Sequence, residues 1–140
     1  MKEGDKVEIG GAEFEVISTY SRAQAIDDGF LVDVSETPEA KEAGFKIPIA
    51  MTRTVWDQYV EVPEGVTHQD LKGRLWDVLY MLRWAIGHRL EGTNPRELLY
   101  KLHVQNDNRD RTPPLVTLKA VVSGGDDGEL VMTIMLPEED

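Results

Sequence analysis

The sequence predicts an α+β fold: one long amphipathic helix packed on a three-stranded antiparallel meander, with an N-terminal hairpin and short helices. Three observations predict it. Apolar residues recur at steps of three and four from residue 67 to about residue 90. After Pro95 the apolar period changes to two. Turn residues then divide the rest of the chain into three alternating runs.

Residues 7–9 and 12–17 alternate apolar and polar side chains around Gly10 and Gly11, whose tolerance of positive φ suits a hairpin turn. Ser21, Arg22, Ala23 and Gln24 have the spacing of a capping box, so a short helix runs to Asp27 or Asp28 and stops at Gly29. Residues 30–34 are β-branched and mostly apolar and read as a strand. Thr37 caps a second short helix with Pro38 at its first position, ending near Ala43 and Gly44. Thr52 or Thr54 opens a third through Trp56, Asp57 and Tyr59, and Pro63, Glu64 and Gly65 form a turn.

Thr67 to Asp70 resembles an acidic capping box for the long helix. Leu71, Leu75, Val78, Leu79, Leu82, Ile86 and Leu90 fall on one face. Gly87 costs roughly 1 kcal/mol relative to Ala, so the last turn is expected to fray. Residues 98–105, 115–122 and 129–136 are the meander strands, joined by a polar loop and by the Gly124–Gly128 turn. Helix and meander each need an apolar cover, so the helix is placed across the sheet.

The 140 residues are expected to form one domain, 1–140, with about two-thirds of the unfolded surface buried. There is no linker, low-complexity tract or repeat with a period of roughly 20 to 50 residues. Cysteine is absent, which excludes disulfides, thiolate zinc ligands and a Cys nucleophile. Met1, Lys2, Glu3, Gly4 and Asp5 precede no apolar run, and no stretch approaches roughly 18 apolar residues. The expectation is a cytoplasmic protein that neither carries a signal peptide nor spans a membrane.

Acidic residues number 26 against 15 basic, a formal net charge of −11. This argues against direct nucleic-acid binding, which draws on Lys and Arg to displace counterions. An acidic surface either keeps the protein soluble or faces a basic partner. The carboxylates gather at residues 27–42, at Asp126, Asp127 and Glu129, and at Glu138, Glu139 and Asp140. Brought onto one face, they would imitate a phosphate backbone.

Other constellations each have an ordinary reading. Asp27, Asp28 and Asp33, with Asp57 and Asp77, would suit a hard cation if they met in space. Yet no Asp-x-Asp motif or Gly-rich phosphate loop accompanies them, and a solvated face accounts for them. His68, His88 and His103 lack ligand spacing, and Ser18 and Ser21 lack a Gly-x-Ser-x-Gly setting. No metal, cofactor or catalytic residue is expected. Tyr20, Ser21 and Arg22 open a helix and form a candidate anion cradle, or simply a capped helix. Asn106, Asp107, Asn108 and Arg109 form either a functional loop or a turn built by side chains bonding their own backbone. Trp76, Tyr80 and Trp84, with Arg83 nearby, are a stacking stripe or flank the core.

The string from Val16 to Ser35, containing Tyr20-Ser21-Arg22-Ala23-Gln24-Ala25-Ile26-Asp27-Asp28-Gly29-Phe30, resembles a family of small uncharacterised proteins carried by bacterial plasmids, integrative elements and phages. Gly73 to Leu79, Val104 to Arg109, and the end from Val116 to Pro137 are similar to the same family. The resemblance covers nearly everything after residue 15, so residues 1–15 read as a variable N-terminal addition. It implies a mobile-element setting and transfers no activity.

The expectation is therefore a non-enzymatic acidic accessory protein of a mobile element. It would inhibit a host defence complex, anti-CRISPR or anti-restriction, as a DNA mimic. The partner would be a basic, nucleic-acid-binding host protein, met by Asp27, Asp28, Asp33, Asp126, Asp127 and Glu129. Two alternatives stand beside it. One is a small metal-dependent hydrolase or nuclease using Asp27, Asp28 and Asp33. The other is a structural module that self-associates, as a homodimer, through the long helix or the meander edge.

Overall fold

The computed structural model describes residues 20–89 and 94–139, together with the backbone of two strands, β1 (Lys6–Ile9) and β2 (Ala12–Glu15). These two pair antiparallel, Lys6 with Glu15 and Ile9 with Ala12, as the expected hairpin requires. The turn between them lies outside the described residues.

Helix α1 (Arg22–Asp27) has the full capping box: the Ser21 hydroxyl accepts from Gln24 N–H, and the Gln24 side chain accepts from Ser21 N–H. The chain leaves it through Gly29 at φ 84°. Strand β3 (Leu31–Asp33) follows, then α2 (Pro38–Ala43), capped by Thr37 and ended by Gly44 at φ 91°.

The next element was not expected. Strand β4 (Ile49–Thr52) is buried along its whole length. Thr52 then caps α3 (Arg53–Val55), which runs on as a π-helical turn, Trp56–Val60. Helix α4 (Leu71–Gly87) begins later than the capping pattern at Thr67 predicts. Asp70 is its cap and accepts from Gly73 N–H at 3.1 Å. Thr67 instead gives its backbone N–H to Asn108 at 2.8 Å, and His68 stands at φ 62°, which no helix accommodates. Leu71 is partly exposed, Leu75, Val78, Leu79 and Leu82 are buried, and Leu90 lies outside the described residues.

Strands β5 (Glu97–His103), β6 (Leu115–Gly124) and β7 (Leu130–Met135) form the expected antiparallel meander. The meander is not the whole sheet. Five strands join in the order β3-β4-β7-β6-β5, with β4 parallel to β7 and every other pair antiparallel. Ile49, Met51, Leu118, Ile134 and Tyr100 face α4 and meet Leu75, Val78, Leu79 and Leu82 in one core. Tyr100 donates its hydroxyl to the Val78 carbonyl at 3.1 Å, and burial pushes that phenol far above its ordinary pKa.

On the other face, the C-terminal turn closes the sheet. The Glu139 carboxylate accepts from the Thr52 hydroxyl and from Leu136 N–H, both at 2.9 Å, and its carbonyl accepts from Lys119 Nζ at 2.7 Å. No helix among the described residues is long and apolar enough to cross a membrane.

Candidate functional site

The two ends of the sheet differ in chemistry, because its edge strands, β3 and β5, carry different neighbours.

At the β3 end, α1 packs beside β3, and the β6–β7 turn reaches α1 through Asp126. The Asp126 carboxylate accepts from Arg22 N–H at 2.8 Å and from Ala23 N–H at 3.0 Å. The cradle predicted at Tyr20, Ser21 and Arg22 is thus filled by the chain's own carboxylate, a structural cap that joins segments about a hundred residues apart. Gly125 permits the turn to fold this tightly: a Cβ there would meet the Glu129 side chain.

Arg22 organises this end. It donates to the Thr133 hydroxyl at 2.7 Å and to the Met132 carbonyl at 2.8 Å. Asp33 pairs with Ala50, and Ala50 with Thr133, so Asp33 and Thr133 share one row and one face of the sheet. Asp33, Asp126 and Glu129 all favour the charged form of Arg22, yet burial outweighs them and lowers its pKa. Asp33 also accepts from Ser35 N–H at 2.9 Å, and Asp127 N–H donates to Glu129 at 3.3 Å. Asp28 accepts a hydrogen bond from the Tyr20 hydroxyl, and Asp27 lies exposed on the last turn of α1.

All six predicted partner-binding carboxylates are exposed, and they come from α1, β3 and the β6–β7 turn, which meet at this end. Among the described residues no three of His, Asp or Glu converge as a cation site.

Asp126 gives a pH test. The N–H groups of Ala23 and Arg22 hold its carboxyl below the ordinary aspartate value of about 3.9. A depressed folded pKa adds stability above the unfolded value and loses it as pH falls through the folded one. The amides of Arg22 and Ala23 are expected to keep exchange protection at neutral pH and lose it in acid. Asp126→Ala abolishes the protection at every pH. Protection that survives the substitution would rule out this docking.

The predicted loop site is a clasp. Asn106 accepts from Arg74 at 2.6 Å and donates to the Gln58 carbonyl at 2.9 Å. Asn108 accepts from Thr67 N–H at 2.8 Å and donates to the Gly65 carbonyl at 2.8 Å. Asp107 accepts from Arg109 N–H at 3.0 Å and pairs with Arg111 at 2.7 Å. These bonds use the polar side chains to pin the stretch before α4 against the loop after β5.

At the β5 end, the C-terminal half of α4 and strand β5 frame an open groove of about 860 Å³. Trp84, half exposed at 51%, stacks on His88 at 4.0 Å between ring centroids. The His88 Nδ1–H donates to the Trp84 carbonyl at 2.7 Å. Trp76 stacks on Tyr80 at 5.2 Å. Tyr80 and Trp84 therefore sit outside the core, contrary to the packing reading of the stripe. Arg89, Lys101 and Lys119 also line the groove, with Glu97 3.8 Å from Lys119. The sequence signal for this end was the pair of exposed alternating positions, Leu99 and Lys101, that strand periodicity assigns to the face away from the helix.

A model of the family of unknown function DUF6573 matches residues 10–140, and the chain belongs to this family. No curated protein and no solved structure matches the chain.

Proposed function

We propose that this member of DUF6573 is a non-enzymatic binding protein that presents its β3 end to a basic, nucleic-acid-binding partner. The observation that carries the reading is the convergence of exposed Asp27, Asp28, Asp33, Asp126, Asp127 and Glu129 from three separated segments. With Asp126 buttressing α1 and Arg22 pinning it to β7, these carboxylates stand on a fixed frame.

A rigid array of carboxylates suits the groove in which a partner otherwise holds phosphates. Complementary fields raise the rate of encounter and disfavour acidic competitors. In the mobile-element setting, the partner is a host defence complex of the CRISPR or restriction type, and the protein is a DNA mimic that blocks its nucleic-acid channel.

The test is competition. The partner recovered on this protein is expected to release duplex DNA when the protein is added, and the protein when excess DNA is added. Simultaneous binding of DNA and protein to one partner molecule would defeat the mimic reading.

A further inference from the structure

We infer that strand β5 is a self-complementary edge through which two copies of this chain pair antiparallel, joining their five-stranded sheets into one continuous sheet. Among the described residues β5 ends the sheet and has β6 on one side alone. Val122 N–H donates to the Arg96 carbonyl at 2.9 Å, and Val104 N–H donates to the Pro114 carbonyl at 3.1 Å. In an antiparallel ladder such pairs recur at every second residue. Residues 98, 100 and 102 therefore turn their backbone groups to β6, and Leu99, Lys101 and His103, with the Glu97 carbonyl, turn theirs outward.

The outward residues fit a two-fold axis through Leu99. Leu99 then meets Leu99 of the second copy, and Glu97 meets Lys101 on both sides of the axis. Leu99 directs both N–H and C=O across the junction, and Lys101 N–H meets the Glu97 carbonyl on each side of the axis, while Glu97 N–H is held by the Asn94 carbonyl at 3.4 Å. Pro95 ends the ladder, since it has no N–H to give.

Charge selects this register. A slip by one residue turns the side chains to the wrong faces. A slip by two residues loses both Glu97–Lys101 pairs, and a slip by four sets Lys101 against Lys101, or Glu97 against Glu97, where like charges directly opposite destabilise a strand pair. Apolar surface accompanies the match: Leu99 is 61% exposed on one side of the strand, and Trp84 is half exposed beside the groove on the other.

The test is sedimentation equilibrium of the full chain over a wide concentration range. The parent is expected to be a concentration-dependent dimer. Lys101→Glu and Glu97→Lys each put like charges opposite one another and weaken dimerisation by roughly tenfold or more. The double exchange, Glu97→Lys with Lys101→Glu, restores it. Leu99→Pro removes an outward N–H while leaving the β6 ladder intact, and gives a monomer with parental circular dichroism. A parent that is monomeric at every concentration overturns the proposal. So does a dimer indifferent to the single exchanges, or one that the double exchange fails to restore.

Discussion

Replacing Arg74 with alanine is expected to cost about 3–4 kcal/mol of stability. Arg74 is 4% exposed and sits on the first turn of α4. Its guanidinium donates to the Val60 carbonyl at 3.1 Å, the Gln105 carbonyl at 2.5 Å and the Asn106 side chain at 2.6 Å. None of these acceptors is a carboxylate. Burial lowers its pKa, with Asp77 opposing that fall, and the cation survives because neutral oxygens replace its hydration. Alanine leaves those oxygens without a donor and opens a cavity between α4, the π-helical turn and the loop after β5. Methionine refills the space but restores no bond, so most of the loss remains. Urea unfolding of the parent, Arg74→Ala, Arg74→Met and Asn106→Ala checks this. Arg74→Ala and Asn106→Ala should be non-additive, because they share a bond. A loss under about 1 kcal/mol for Arg74→Ala contradicts the clasp.

Arg22→Ala is the second large effect. It removes two bonds from a charged donor, to Thr133 and Met132, and a stability loss of roughly 2–3 kcal/mol is expected. It also removes the cation that Asp33, Asp126 and Glu129 surround. Their mutual repulsion then goes unopposed, which gives the variant a signature that a simple packing defect lacks. The stability gap to the parent narrows in acid, as pH falls through the depressed pKa of Asp126 and its charge, which Arg22 helps to hold, is lost. It narrows also with added salt, because the carboxylates are exposed. Arg22→Met keeps the bulk and should show the same pH and salt trends. Thermal melts across pH and ionic strength measure both. A gap that stays constant assigns Arg22 a packing role alone.

Legibility followed the range of the interactions. The caps of α1 and α2 were readable because Ser21, Gln24, Thr37 and Pro38 act within one helical turn. Strands β5 to β7 were readable because alternation marks a sheet with unequal faces. Strand β4 was missed for the converse reason: Ile49, Ala50, Met51 and Thr52 are buried on both faces and show no alternation. The start of α4 was placed at Thr67 because local spacing does not reveal that Asn108 claims Thr67. The anion cradle was legible as a set of free N–H groups, but the carboxylate that fills it comes from Asp126, far along the chain. The acidic residues were all visible; their meeting at one end depends on the sheet order, which periodicity does not encode.

The measurement that bears most directly on the acidic end is a salt-gradient elution of the tagged protein's partner from host lysate, run for the parent and for Asp27→Lys with Asp127→Lys. These two carboxylates are exposed and accept none of the hydrogen bonds that hold this end together, so the exchange changes charge and leaves the fold in place. A basic nucleic-acid-binding complex is expected to bind the parent at low salt, to elute as salt rises, and to elute from the double variant at markedly lower salt. A partner held equally well at all salt concentrations, or equally well by parent and variant, would contradict this expectation.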